Sequence, residues 1–173
     1  MPKQNYKARS RGVSNLHAHL VLTTKYRYKV MTEPMLVRLK ALMKELCQKW
    51  QCEYTESNGE PDHFHLVFRY YPQLQLSKFI DNIKSVSSRR LNQEYDNYLR
   101  KIYPPSINTK TGKESRVFWN ESYAINSVGG AKLDDLIKYV QNQPKELLEL
   151  VTSEAGVGRL RPSDDPPYIP TLK

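Results

Sequence analysis

The sequence is poor in cysteine and in long apolar runs. Its 173 residues include only two cysteines, Cys47 and Cys52, without a partner cluster. This scarcity argues against a disulfide framework or a cysteine zinc site and favours a reducing compartment. No segment approaches the roughly 20 apolar residues of a membrane span. The polar, basic stretch 1–11 also lacks the apolar part of a secretory signal. We therefore expect a soluble cytoplasmic protein without a membrane partner.

Acidic residues are scarce relative to basic ones. The chain has 27 Lys and Arg against 18 Asp and Glu, which gives a formal charge of +9. Such an excess favours a polyanionic partner, with nucleic acid as the first candidate, although charges that only keep a protein dispersed give the same balance. Several of the twelve tyrosines stand between basic residues, as in KYRYK at 25–29. Tyrosines fill cores too, but this pattern suits a surface that binds phosphates and stacks on bases.

The hydrophobic pattern predicts one α+β domain. Period-two and helical spacings alternate along the chain. The predicted elements are a strand at 15–24, a helix at 33–50, a hairpin of strands at 52–57 and 62–70, a long helix after 72, a strand around 117–127 and a helix from about 133. This order is typical of a ferredoxin-like antiparallel sheet backed by helices. Thr32 is placed to cap the first helix, and the polar side of the long helix carries Lys84, Ser87, Ser88, Arg89 and Arg90.

The two ends of the chain differ in composition from its middle. Residues 1–14 are basic with almost no large apolar side chain, and 151–173 are rich in proline. We therefore expect a mobile N-terminal arm (1–14), one domain (15–150) and a flexible tail (151–173).

Two histidines alternate with apolar residues in the second strand of the predicted hairpin. His63 and His65 project from one face of that strand, which is a geometry suited to metal ligands, although an isolated pair also occurs by chance. His17 and His19 have the same spacing on the first strand. We favour the later pair because it follows 61–62 (PD) and sits between bulky apolar residues, whereas His17 lies at the ragged start of its strand.

A third ligand and a nucleophile are needed for metal-assisted chemistry. No acidic cluster stands out. Tyr139 and Gln143 are four residues apart and therefore lie on one side of the last predicted helix, although a tyrosine alone there is ordinary packing. Asp62 either orients His63 as an acceptor or caps the hairpin turn.

Taken together, these residues resemble the single-tyrosine HUH transposases of bacterial and archaeal insertion sequences, including the REP-associated tyrosine transposases. The resemblance covers roughly residues 16–143, with its motifs in family order. These motifs are KYR at 25–27, PDHFHL at 61–66, SSRR at 87–90, SVGG at 127–130 and YVQNQ at 139–143.

The resemblance implies an HUH-endonuclease fold with the tyrosine on a C-terminal helix. It assigns a divalent ion, Mg²⁺ or Mn²⁺, to His63, His65 and Gln143, and it makes Tyr139 the nucleophile. The implied reaction cleaves and rejoins single-stranded DNA at insertion-sequence ends through a 5'-phosphotyrosine.

The resemblance also implies partners. These are single-stranded DNA with hairpin ends and a second copy of the chain, in a homodimer where the tyrosine helix of one subunit completes the site of the other. Gly129 and Gly130 stand where a hinge for that helix is expected, although a strand-ending turn explains them more economically. Solvated surface charge is the competing explanation for the DNA-contact candidates. These candidates are Lys25, Arg27, Lys84, Arg89 and Arg90.

Two segments depart from the compact family pattern, and two rival functions stay open. Residues 103–116 have the character of an insertion, and the chain beyond 144 is longer than a minimal enzyme needs. A relaxase or replication initiator would use the same chemistry, but the single Tyr139 and the lack of room for a helicase argue against it. A non-catalytic or domesticated nucleic-acid-binding module would bind DNA without a divalent ion.

Overall fold

The computed structural model describes residues 7–9, 12–107, 112 and 114–142. Their helices and strands follow one another along the chain as β1 (Lys7–Arg9), β2 (Gly12–Ser14), β3 (Leu16–Thr23), α1 (Glu33–Lys49), β4 (Glu53–Glu60), β5 (His63–Tyr70), α2 (Leu76–Glu94), α3 (Asp96–Ile102), β6 (Ser106–Ile107), β7 (Glu114–Ser115), β8 (Ala124–Val128) and α4 (Gly130–Gln141). A 3-10 turn at Lys25–Arg27 follows β3. Within this described part, no helix is long and apolar enough to cross a membrane.

The central sheet has four antiparallel strands in the order β4-β5-β3-β8. Counted along the chain, these are the second, third, first and fourth strands of the domain, which is the ferredoxin-like order. The α+β fold expected from the sequence is confirmed. The two central strands, β5 and β3, pair with each other, and their register places Val21 of β3 opposite His65 of β5.

One face of the sheet forms the hydrophobic core. Alternate residues of β3 and β5 point to this face because side chains of a strand alternate in direction. Helices α1 and α2 cover it, with Phe68 and Phe79 packed edge to face at 5.2 Å. The largest fully buried side chains are Leu20, Leu22, Met31, Met35, Leu39, Met43, Phe64, Leu66, Phe68, Phe79, Ile80 and Phe118.

The two core helices follow the predicted helical spacing, with two differences in polar detail. Thr32 occupies the N-cap position of α1, but its side chain makes no capping hydrogen bond. Ser87, expected on the polar side of α2, is buried. Its hydroxyl donates to the carbonyl of Ile83 at 2.6 Å and accepts the indole N–H of Trp119 at 2.8 Å. The pair thus satisfies two polar groups inside the apolar layer.

The fourth strand of the domain is shorter than predicted. The sequence predicts a strand around 117–127, whereas β8 covers only Ala124–Val128. Phe118 and Trp119 are buried instead, and Trp119 forms only an isolated bridge with Thr24. Packing of these two aromatic side chains into the core therefore takes precedence over extended pairing.

The proposed insertion and the chain ends are only partly described. Within 103–116, β6 and β7 pair with each other, and buried Arg116 donates to the carbonyl of Tyr103 at 2.6 Å. Within the predicted arm, β1 and β2 form a hairpin, and Ser14 accepts a hydrogen bond from Arg69 at 2.8 Å. The tail 151–173 lies outside the described residues, and the division into arm, domain and tail stays a prediction.

Candidate metal and nucleophile site

The sheet face opposite the core carries all four histidines of the chain. His17 and His19 lie on β3, and His63 and His65 lie on the adjacent β5. Period-two alternation sends each pair to the same side, and the pairing of the two strands puts both pairs on one surface. We call this surface the histidine face.

His63 is held by an acidic neighbour. Its Nδ1 lies 2.6 Å from Oδ1 of Asp62, and the other carboxylate oxygen of Asp62 lies 3.2 Å from Nη2 of Arg27. Burial opposes ionisation of Asp62, yet the hydrogen bond to His63 and the charge of Arg27 hold its pKa below the usual value. A carboxylate only accepts, so Nδ1 of His63 donates this hydrogen bond, and Nε2 is the ring nitrogen left to bind an ion.

His65 is more deeply buried than His63. It is 6% exposed, and its Nδ1 lies 2.8 Å from Nε2 of His19. The two rings are nearly parallel, with centroids 5.1 Å apart. Burial, with smaller contributions from His63 and His19, lowers the pKa of His65 to about 3, so this imidazole is neutral near pH 7. Its buried Nε2 has no hydrogen-bond partner among the described residues.

Carboxylate oxygens lie close to the ring nitrogens of His63. Oε1 of Glu60, on β4, lies 4.0 Å from Nε2 of His63. Ligand atoms of Glu60, Asp62 and His63 all lie within 4.8 Å of one another. Two atoms that bind one ion at about 2.1 Å lie at most about 4.2 Å apart, so the Glu60–His63 distance is compatible with a shared ion.

The donor set fits a divalent cation. Neutral imidazole nitrogens and carboxylate oxygens are ligands for Mn²⁺ and Mg²⁺, and Nε2 of His65 is a buried polar atom without a hydrogen-bond partner among the described residues. Both oxygens of Asp62 already contact other side chains, which favours an orienting role for it. That leaves His63 and Glu60 as the described residues whose ligand atoms are close enough to share an ion, and the ring of His65 lies next to them, with its centroid 4.9 Å from that of His63.

Helix α4 brings Tyr139 to the histidine face. The rings of Tyr139 and His65 meet edge to face with centroids 6.1 Å apart, and Tyr139 is 59% exposed. The helix docks through its last turn: Val140 is fully buried and its carbonyl accepts from Nδ2 of Asn58 at 2.9 Å. Gln141 donates to Glu56 at 2.9 Å. The tyrosine and the two histidines therefore meet within one chain. Gln143 lies outside the described residues.

Three of the five basic candidates lie at one end of the sheet. Arg27 contacts Asp62, as described above, and Nζ of Lys25 lies 3.6 Å from Oε1 of Glu121. Lys84 of α2 donates to the backbone carbonyl of Glu121 at 2.6 Å. Arg27 is therefore linked to His63 through Asp62, whereas Lys25 and Lys84 share Glu121 as their partner.

The other two basic candidates lie apart from that cluster. Arg89 and Arg90 are exposed on α2, the helix that packs on the core face. The structure therefore does not gather all five residues into one patch around the histidines.

The turn that carries Arg27 has an unusual backbone. Tyr26 and Arg27 both have positive φ, at 56° and 53°, a region that non-glycine residues rarely occupy. Thr24 anchors the turn, because its hydroxyl donates to the carbonyl of Tyr28 at 2.7 Å. Such residues cost roughly 1–3 kcal/mol each and persist where the surrounding structure fixes them. Here the conformation directs Arg27 towards Asp62.

Sequence reasoning missed three neighbours of the predicted ligands. His19, set aside in favour of the later pair, contacts His65; Glu60 adds the carboxylate that no acidic cluster suggested; and Asn58 holds α4. Period-two spacing places Asn58 and Glu60 on one face of β4 and His19 on one face of β3. The pairing register that joins those faces is a tertiary property.

Comparisons with solved structures support the fold. A crystal structure of a transposase from Deinococcus radiodurans is 25% identical and superposes with a TM-score of 0.58, covering 79% of this chain and 97% of the other. A REP-associated tyrosine transposase bound to a REP hairpin has a TM-score of 0.50, covering 78% of this chain and 69% of the other. At 9% identity, the second likeness concerns the fold alone.

Sequence comparisons define the family. The family model for IS200-like transposases matches residues 12–143. Over 131 residues the chain is 26% identical to the ISDra2 transposase TnpA of Deinococcus radiodurans, covering 76% of this chain and 86% of that protein. It is 24% identical to the transposase for insertion sequence element IS200 of Salmonella typhimurium, covering 76% and 80%. The chain belongs to the IS200-like transposase family.

Proposed function

We propose that this transposase cleaves and rejoins single-stranded DNA at insertion-sequence ends with Tyr139 as its nucleophile. The observation that supports this proposal is the packing of Tyr139 against His65, on the face that also carries His63 and Glu60. A phenol that is largely exposed beside potential ion ligands is placed to meet a phosphodiester from solvent.

The proposed reaction is a transesterification. The phenol of Tyr139 gives up its proton as its oxygen attacks phosphorus, the bond from phosphorus to the 3' oxygen breaks, and the leaving 3' oxygen takes up a proton, so that no net proton is gained or lost. The products are a 5'-phosphotyrosine and a free 3'-hydroxyl. Because the covalent link preserves the phosphodiester, attack by another 3'-hydroxyl reverses the step and joins new strands without ATP.

His63, His65 and Glu60 would hold Mg²⁺ or Mn²⁺, and Gln143 is proposed as a further ligand. When bound, the ion would neutralise a non-bridging phosphate oxygen and make phosphorus more electrophilic. Asp62 fixes the ring of His63 so that Nε2 faces away from the carboxylate.

The basic cluster at the end of the sheet is proposed to bind the DNA backbone. Arg27 is linked to His63 through Asp62, Lys25 and Lys84 meet at Glu121, and all three carry charges that suit phosphates. Arg89 and Arg90, on the other side of the sheet, would contact a longer or folded DNA such as a hairpin. A structural relative is bound to a REP hairpin, which suggests this class of substrate.

The decisive experiment tests for a covalent adduct. The purified protein is incubated with single-stranded DNA carrying candidate element ends and Mn²⁺ or Mg²⁺, and SDS-stable adducts are counted on a gel. We expect adducts for the wild type, none for Tyr139→Phe and none when EDTA removes the ion. Tyr123→Phe is the matched control, because Tyr123 is also exposed and the variant loses only a hydroxyl while it keeps the ring that Lys84 contacts.

Two outcomes would contradict the proposal. An adduct that survives in Tyr139→Phe would assign the nucleophile to another residue. DNA binding without any adduct, with or without the ion, would favour a binding module or a domesticated transposase.

A further inference from the structure

The two proposed imidazole ligands differ in what their Nδ1 atoms contact. Nδ1 of His63 meets the carboxylate of Asp62 at 2.6 Å. Nδ1 of His65 instead meets Nε2 of His19 at 2.8 Å. A carboxylate fixes the direction of its hydrogen bond because it only accepts. Two imidazoles can each donate or accept, so their hydrogen bond can run in either direction. The position of one proton therefore decides whether Nε2 of His65 can bind an ion.

Only two arrangements are compatible with a hydrogen bond between two neutral rings. In the first, His65 donates from Nδ1, His19 accepts at Nε2, and both rings carry their proton on Nδ1. In the second, His19 donates from Nε2, His65 accepts at Nδ1, and both rings carry their proton on Nε2. Only the first leaves a lone pair on Nε2 of His65, which an ion requires.

Burial favours the first arrangement. Nε2 of His65 is enclosed and has no hydrogen-bond partner among the described residues. A proton there would be a buried donor without an acceptor, which folded proteins avoid. A lone pair at the same place is the group that a cation binds.

We propose that His19 is a positioning residue for the metal site: it accepts the Nδ1 proton of His65 and so leaves Nε2 of His65 free to bind the ion. This inference rests on the proposed function of the histidine face. It gives a role to a residue that none of the proposed catalytic steps uses.

The sheet keeps His19 in place for this role. His19 lies on β3, which has a hydrogen-bonded strand on each side, opposite Val67 of β5 and Asn126 of β8. Its ring stacks on that of His65 with an angle of 12° between the ring planes. The acceptor is therefore fixed by the paired backbone and by ring packing. A direct ligand role for His19 is disfavoured, because its Nε2 faces Nδ1 of His65.

The first test reads the proton directly. In the metal-free, ¹⁵N-labelled wild type near pH 7, long-range ¹H–¹⁵N correlations of the imidazole rings report which nitrogen of each ring is protonated. Spectra of His19→Gln and His65→Gln assign the signals. We expect His19 and His65 both to be protonated on Nδ1. Protonation of both rings on Nε2 would overturn the proposal.

The second test measures Mn²⁺ affinity by calorimetry, without DNA or turnover. We expect His19→Ala to bind Mn²⁺ about 10-fold to 100-fold more weakly than the wild type. His19→Gln should recover most of the affinity, because a glutamine oxygen can accept the same proton. Thermal unfolding of each variant shows whether a loss of affinity comes with a loss of fold.

His17→Ala is the matched control. His17 lies two residues away on the same strand and face and is more deeply buried than His19, but it makes no contact with His65 in the described structure. We expect its Mn²⁺ affinity to stay within about twofold of the wild type. An equal loss in both variants would indicate a general effect of opening the sheet face and would contradict a positioning role.

The two proposals fail in different ways. Wild-type Mn²⁺ binding that is unchanged in His19→Ala would overturn the role of His19 alone. A wild type that binds no Mn²⁺ would overturn both proposals. Normal results for His19 without any DNA adduct would overturn only the proposed function.

Discussion

The two faces of the central sheet differ in the interactions that order their side chains. On the core face, Phe64 and Leu66 are fully buried among apolar side chains and depend on shape alone. On the histidine face, the neighbouring residues are His63 and His65. Nδ1 of His63 contacts Asp62, and Nδ1 of His65 contacts His19. The core face stabilises the fold through burial, whereas the histidine face is ordered by directional contacts that leave ligand atoms available.

This difference suggests that some positions of β5 determine mainly the stability of the protein, whereas their neighbours determine mainly its activity. Residues one position apart on β5 point to different environments, so substitutions there should affect one property far more than the other. The four predictions that follow test this separation, in order of decreasing effect.

The largest contrast is expected between Phe64→Ala and His63→Ala. Phe64→Ala should lower the free energy of unfolding by about 3–5 kcal/mol, because it removes a large buried side chain and leaves a cavity. His63→Ala should cost less stability, since this ring retains partial exposure, but it should abolish metal-dependent adducts. Urea unfolding and the adduct gel measure the two effects. Equal stability losses would contradict the separation of the faces.

The next contrast compares two glycines. A Cβ on Gly59 would meet the carbonyl of His63 at 2.8 Å and Leu36 at 2.9 Å, whereas one on Gly129 would meet nothing within 4 Å. Gly59→Ala should cost about 1–3 kcal/mol by overpacking. It should also weaken adduct formation, because it shifts β4, which carries Asn58 and Glu60 towards the histidine face.

Gly129→Ala is the control for that substitution. Gly129 has φ −75° and ψ 152°, a conformation open to any residue. We expect a change within about 0.5 kcal/mol. A large loss of activity at unchanged stability would instead support the hinge that the family resemblance implies at Gly129 and Gly130, over a simple strand-ending turn.

A third prediction concerns the polar pair inside the core face. Ser87→Ala removes the acceptor of the buried Trp119 indole and should cost about 1–3 kcal/mol. Ser88→Ala, one residue further along α2 and only partly buried, should change stability by about 0.5 kcal/mol or less. Chemical denaturation compares the two. Similar small effects would mean that the apolar layer tolerates an unpaired indole N–H.

The smallest effect is expected for His17 and depends on pH. Burial, followed by the charge of Arg69, lowers the pKa of His17 below 6.5, with an opposing contribution from Glu53. The unfolded chain therefore takes up a proton here before the folded chain does. The contribution of His17 to the free energy of unfolding is therefore complete above pH 6.5, and it is lost as the pH falls from there through the pKa of His17 in the folded state.

The measurement for His17 is unfolding free energy at pH 7 and pH 5, for the wild type and His17→Gln. We expect the wild type to lose more stability on acidification than the variant. An identical loss in both proteins would show that this histidine does not contribute.

The sequence predicts the parts of this molecule that depend on local pattern. The strand at 63–70 and the ferredoxin-like order are confirmed because period-two and helical spacing are local signals. The short helix α3 was not predicted, and Ser87 was assigned to the polar side of α2. The reason for Ser87 is physical, because only the arrival of Trp119 from a distant segment makes that position a buried polar contact.

The candidate site also has residues that the sequence pattern predicts and contacts that depend on the tertiary structure. His63, His65 and Tyr139 could be proposed from motifs, and their chemical roles stay predictions. The contact of His65 with His19 depends on the register between β3 and β5, with Val21 opposite His65, which no single-strand pattern contains.

The docking of α4 adds a separate equilibrium to that of folding. Its described hydrogen bonds to the sheet, through Asn58 and Gln141, involve only the last turn of the helix and come from β4. A molecule with α4 released would keep its sheet and the proposed ion ligands but lack the proposed nucleophile, Tyr139. Dilution then becomes informative: a helix that docks on its own chain gives the same activity per molecule at every concentration, whereas a helix supplied by a second copy gives activity that rises with concentration.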